Sequence, residues 1–249
     1  MTKTSPICTR IPRPIRPVVE MARYARFEPR TVRFLEELKA NNNREWFKEH
    51  KSRYEEEVLD VALRFIISMQ EPLAEIAPRF TAVPTRVGGS LMRVYRDTRF
   101  SKNKLPYKTN IGIQFRHEQA KDVHSPGYYV HIEPDEVFLG AGMWRPDSDP
   151  LRGIRERIAA KPAEWRRAMG ARSFSRNFSL GGEKLTRPPR GFEKEHECIE
   201  DIKRKSFIAV RELDVEDCLN PQFQKMVESS FKSAEPFMCF LCKSVGVRF

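Results

Sequence analysis

Asn110-Ile-Gly-Ile-Gln-Phe115, Tyr128-Tyr-Val-His-Ile-Glu133 and Val137-Phe-Leu-Gly140 decide the fold, the last two being separated only by Pro134-Asp135-Glu136. In the first stretch Ile111, Ile113 and Phe115 alternate with Gly112 and Gln114, the period-two pattern of a half-buried strand. The Pro-Asp-Glu joint between the other two reads as a hairpin. Upstream the period changes. From Trp46 onward, Phe47, Tyr54, Val58, Val61, Phe65, Met69, Leu73 and Ile76 recur at helical spacing, and Pro72 is expected to kink or split the run. Thr31 is placed to cap Val32–Lys39, Asn41, Asn42 and Asn43 make a turn, and Ser90–Arg96 is short and β-compatible. Downstream, a helix opens at Asp149-Pro150, restarts at Pro162 and ends at Gly170. An irregular connection fills 171–192, Glu193–Lys205 reads as helix, and Ser206–Glu212 reads as a returning strand. Asn220-Pro221 caps a last helical region with Phe223, Phe231, Phe237 and Phe240. The order specifies one α+β domain, with an antiparallel or mixed sheet packed against N-terminal and C-terminal helices.

The 249 residues are 40% apolar and 32% charged, polar for a globular chain, but 17 Phe, 6 Tyr and 3 Trp are too many for a disordered one. No run approaches the roughly 18 apolar residues of a membrane span. The excess of 45 Lys+Arg over 34 Asp+Glu, a net charge of +11, favours anionic partners. Five scattered cysteines argue for a reducing compartment, the cytoplasm, and Cys239-Phe-Leu-Cys242 lies in an apolar run that reads as a core helix. Residues 1–26 form a flexible, basic arm rich in Pro and Arg, with no apolar segment of a secretory signal and with Met21 as an alternative start. Residues 27–249 are then the folded domain. There is no P-loop, G-x-S-x-G, H-E-x-x-H or dinucleotide fingerprint, so no cofactor is assigned.

Residues 86–108 hold seven basic side chains (Arg86, Arg93, Arg96, Arg99, Lys102, Lys104, Lys108) against one acid, Asp97. A solvated face usually mixes signs; this one does not. Arg supplies planar bidentate contacts and Lys a compact charge, a combination suited to phosphate or carboxylate. Arg93, Arg96, Arg99, Lys102, Lys104 and Lys108 are the candidate anion ligands. They converge only if the strand ends near Asp97 and the chain turns. Asp97 is then expected in a buried pair with an arginine. The catalytic candidates are Asp97, as base or arginine-orienting group, with Tyr107 and His131 assisting. His131 and Glu133 share a strand face, suited to acid–base work. His117 and His124 complete a metal set only if the fold brings them close, so no metal site is assigned.

Arg93-x-x-Arg96-Asp97-x-Arg99-Phe100 followed by Asn103-Lys104-x-x-Tyr107 resembles the signature of a bacterial family, domain of unknown function 2461. The resemblance extends to Asn42-Asn43-Arg44-Glu45-Trp46-Phe47, Gly127-Tyr128-Tyr129-x-His131-Ile132 and Gly140-x-Gly142-Met143-Trp144-x-Pro146, and covers about residues 30–249. It implies a single cytoplasmic bacterial domain and carries over no catalytic roles. The residues themselves favour binding of a phosphorylated or nucleotide-like anion within 86–108, with or without catalysis. The alternatives are a non-catalytic nucleic-acid-binding module, or an interaction domain for an acidic partner. A pocket separates the first from the others; a basic stripe separates the second.

Overall fold

The computed structural model describes residues 26–99, 101–120 and 124–249. The arm assigned to 1–26 therefore lies outside the described residues except for Arg26. Phe27 is fully buried, its ring 5.6 Å from that of Phe65 and 6.0 Å from that of Phe223.

The strands are β1 (Phe80–Thr81), β2 (Ile111–His117), β3 (Gly127–Glu133), β4 (Glu136–Met143), β5 (Ser179–Gly181) and β6 (Phe207–Leu213). They make one six-stranded sheet of order β1-β2-β3-β4-β6-β5. Every pairing is antiparallel. The register sets Ile113 opposite Val130 opposite Leu139, and Phe115 opposite Tyr128 opposite Ala141. These side chains are buried on one face, against α4 (Asp60–Ser68), α11 (Phe223–Ser233) and α12 (Glu235–Ser244). The Phe231 ring lies 4.5 Å from that of Tyr128 and 6.0 Å from that of Phe115. Burying each such side chain contributes about 1.5–3 kcal/mol, so this apolar face holds the sheet to the helices.

Several local expectations change for identifiable reasons. Thr31 is not a cap. The helix α1 (Pro29–Ala40) starts at Pro29 after Glu28, and buried Thr31 donates its hydroxyl to the Glu57 carbonyl at 2.7 Å. The run from Trp46 is divided into α2 (Arg44–Glu49), α3 (Lys51–Tyr54), a π-helical turn (Glu55–Leu59) and α4. Pro72 does split the run, sitting in the first turn of α5 (Gln70–Ile76), where its missing N–H costs little. In α6 (Ser148–Ala160) Pro150 is the third residue, not the first; α7 (Pro162–Gly170) has the expected bounds. The connection 171–192 contains α8 (Arg172–Asn177) and β5. Only Ile199–Ile202, α9, is helical within 193–205. There His196 accepts from the Cys198 N–H and its other ring nitrogen lies 3.2 Å from the Ala159 carbonyl, so one local and one long-range contact stand where a longer helix was expected. After α10 (Val215–Leu219), α11 and α12 complete the helical layer, and Cys242 of α12 is buried with its thiol pushed up to about 12 by desolvation. Among the described residues no helix is long and apolar enough to cross a membrane.

A polar contact from the turn between α1 and α2 reaches the basic segment, which Arg86 also ties to the helices through Glu55 and Asp60. The Asn42 amide donates to the Tyr107 carbonyl at 3.0 Å, and its oxygen accepts from the Tyr107 N–H at 3.1 Å. The Tyr107 ring stacks on Phe47 of α2 at 4.1 Å. Residues 91–96 pair irregularly with 106–113: Tyr95 bridges Tyr107, Leu91 bridges Ile113, and the Lys108 N–H donates to the Val94 carbonyl. Asn42→Ala leaves two backbone groups of Tyr107 unpaired in a half-buried place. It should lower the unfolding free energy by about 1–3 kcal/mol, measured by chemical denaturation.

Candidate functional site

Alternation sends Gln114, Tyr129, His131, Phe138, Ile208 and Val210 to the sheet face opposite the helices. There all of them but His131 line a groove of ≈ 530 Å³, walled by further strand residues, Glu136 and Glu212 among them, together with Met92 and Trp144. Glycines set its depth. A Cβ at Gly140 would lie 3.3 Å from the Cβ of Tyr129, and one at Gly142, whose φ is +128°, would lie 2.0 Å from the Phe207 carbonyl oxygen. Only glycine fits at 142. Trp144 stands at the rim with 48% of its surface exposed, and the Arg145 guanidinium lies 5.2 Å from its ring.

At the end of the groove nearest the β3–β4 turn, the His131 ring stacks on Phe138 at 4.6 Å and 10°. Its Nδ1 is 3.2 Å from the Tyr129 hydroxyl and 3.4 Å from the Asn110 amide nitrogen. Its Nε2 is 3.4 Å from a Glu133 carboxylate oxygen and 3.9 Å from one of Glu136. Thr109 donates its hydroxyl to the other Glu133 oxygen at 2.5 Å. Burial pushes His131 below the ordinary imidazole range, against the opposing pull of Glu133. Desolvation pushes Tyr129 up to about 12. The pairing of His131 with Glu133 was legible as same-face alternation. Glu136 was missed, although a two-residue turn makes it the partner of Glu133 across the hairpin. His117 and His124 are elsewhere: His117 is buried at the far end of β2 beside the Arg248 carbonyl, and His124 lies beside the Trp144 carbonyl.

The candidate anion ligands divide into groups. Lys108 is half-buried, and desolvation, then repulsion by Arg93 and Arg96, push its ammonium below the ordinary lysine range. Those causes place Arg93, Arg96 and Lys108 in one electrostatic neighbourhood. Ion pairs among the described residues include none of the three. Lys108 immediately precedes Thr109 and Asn110, which reach Glu133 and His131, whereas Arg93 lines a neighbouring cavity with Lys51, Tyr54, Arg86 and Arg116 that shares Met92 and Gln114 with the groove. Lys102 and Lys104 instead line a separate shallow hollow with Asn103 and Arg44, and Lys104 donates to the Thr98 carbonyl at 2.9 Å. Arg99 is gripped by Asp97 in a bidentate pair of 3.0 and 2.7 Å.

That pair is exposed, with 76% and 43% of the side chains accessible, and is not the buried pair expected. The reason is local. The Arg99 N–H also donates to Asp97, closing a tight turn that keeps both residues at the surface. Arg99 holds the Asp97 carboxyl far below the usual carboxylate range. Tyr107 is buried in packing, and Phe100 lies outside the described residues.

A family model described as a conserved hypothetical protein, DUF2461, matches residues 30–240. Comparison with curated proteins gives no match.

Two substitutions separate these groups. Asp97→Asn removes a solvent-screened contact and should leave the melting temperature unchanged. Lys108→Met should raise it, by roughly 2 °C, because a half-buried repulsive charge is removed. The sign follows from protonation. With the folded value below the unfolded one, the unfolded chain binds more protons between the two, and stability rises with pH across that alkaline window. The penalty is thus fully present at neutral pH. Thermal melts of wild type and Lys108→Met at neutral and alkaline pH should converge as pH rises.

Proposed function

The chain belongs to the DUF2461 family, and on that footing we propose that the open face of its sheet binds a phosphorylated, nucleotide-like ligand. Arg93, Arg96 and Lys108 take the phosphate, and the flat apolar part lies over Tyr129, Phe138 and the glycine floor. One feature supports this above the others: Arg93 and Arg96 repel Lys108, none of the three forms an ion pair among the described residues, and the segment that carries Arg93 adjoins the aromatic groove at Met92. A bound anion would offset their repulsion. The groove volume falls within the ~300–1,000 Å³ of small-molecule sites. Of the catalytic candidates, His131 alone lies on the groove's sheet face, stacked on the lining residue Phe138, its Nε2 toward Glu133 and free of backbone bonds; Asp97 is committed to Arg99 and Tyr107 to packing. Catalysis in this reading rests on His131 as the proton-carrying group.

A second reading, a module for single-stranded nucleic acid, draws on the basic hollow of Arg44, Lys102 and Lys104, which extends positive charge beyond the groove. Salt dependence separates the two. At 150 mM salt, millimolar pyrophosphate or AMP should raise the melting temperature of the wild type. Arg96→Ala and Lys108→Met should abolish most of that rise, and oligonucleotides should bind weakly. Tight oligonucleotide binding whose log affinity falls steeply with log salt would favour the second reading. No response to either small anion would refute the first.

A further inference from the structure

We infer that His131, Glu133 and Glu136 form a binding site for one divalent transition-metal cation at the histidine end of the groove. Sequence spacing supplies only His131 and Glu133; the hairpin adds the third donor. One ligand atom from each residue lies within 4.8 Å of the other two. Donors about 2.0–2.2 Å from a common ion stand roughly 3–4.3 Å apart, so a small rotation of Glu136, with 64% of its side chain exposed, closes the set.

The donors are held from behind. The His131 ring is clamped on Phe138, and its Nδ1 faces the Tyr129 hydroxyl and the Asn110 amide, which leaves Nε2 directed at the carboxylates. The Thr109 hydroxyl fixes the far oxygen of Glu133. Metal-ligating histidines and carboxylates are oriented by outer hydrogen bonds of this kind.

Charge points the same way. Two carboxylates face one imidazole, and among the described residues neither forms an ion pair with Lys or Arg. Lys39, whose charge feels Glu133, is bonded to Asp135 in the turn. One nitrogen and two oxygen donors suit Zn²⁺, Mn²⁺ or Co²⁺ better than Ca²⁺ or Mg²⁺, which prefer all-oxygen sets. Three protein donors leave coordination positions for water or a ligand.

The test uses the full chain after chelator treatment, titrated with Zn²⁺ alone by calorimetry and with Co²⁺ alone by visible absorption. No phosphate is present, so the result is independent of the anion reading. One ion per chain is expected, and His131→Ala and Glu136→Gln should each weaken binding tenfold or more. Thr109→Val, which touches no ligand atom of the ion, should weaken it by about tenfold. Cys239→Ser with Cys242→Ser should leave it unchanged. Glu136→Gln alters an exposed side chain, so circular dichroism should show an intact fold. Absence of stoichiometric Zn²⁺ binding would overturn the inference, as would wild-type affinity in folded Glu136→Gln and His131→Ala.

Discussion

The two-residue turn Pro134-Asp135 pairs Glu133 with Glu136, and the rest of the molecule depends on the register so fixed. Side chains alternate along a strand, so a slip of one residue would send Val137, Leu139 and Ala141 away from the helices and bring Phe138 into them. The apolar burial on one face therefore enforces the composition of the other. Tyr129, His131 and Phe138 share the open face because Val130, Ile132 and Leu139 occupy the buried one. The groove is in this sense a by-product of the core, deepened at Gly140, where a side chain would crowd Tyr129, and at Gly142, where only glycine fits.

Charge is distributed by a similar division. Several cations are already answered: Arg53 by Glu37 and Glu57, Arg157 by Glu164, Arg99 by Asp97. Exposed pairs of this type contribute little to stability, but they do decide which cations remain uncommitted. Arg93, Arg96 and Lys108 remain so, and the Asn42–Tyr107 contact holds the strand that carries Lys108. On the open sheet face two glutamates turn toward one imidazole.

The α+β class, the central strands and the apolar helix faces were legible because each rests on a periodicity that the core enforces directly. Thr31, the 193–205 segment and Pro150 were not, because long-range or competing local bonds decided them: Thr31 to Glu57, and His196 to Cys198 and Ala159. In the candidate site, His131 with Glu133 followed from alternation alone. Glu136 required the register of a turn. The partition of the seven basic residues of 86–108 depended on which carboxylates tertiary structure brings near, and the Asp97–Arg99 turn removed one arginine from the group. Spacing along the chain carries no information about that.

The central claim is that the open sheet face, and not the wider basic surface, is where this domain meets its ligand. Amide chemical-shift mapping of isotopically labelled full-length protein, titrated with pyrophosphate at physiological salt, tests it most directly. Shifts concentrated at Lys108, Asn110, His131, Phe138 and Gly140 are the expected result. Shifts confined to Arg44, Lys102 and Lys104, or spread evenly over the basic surface, would contradict it.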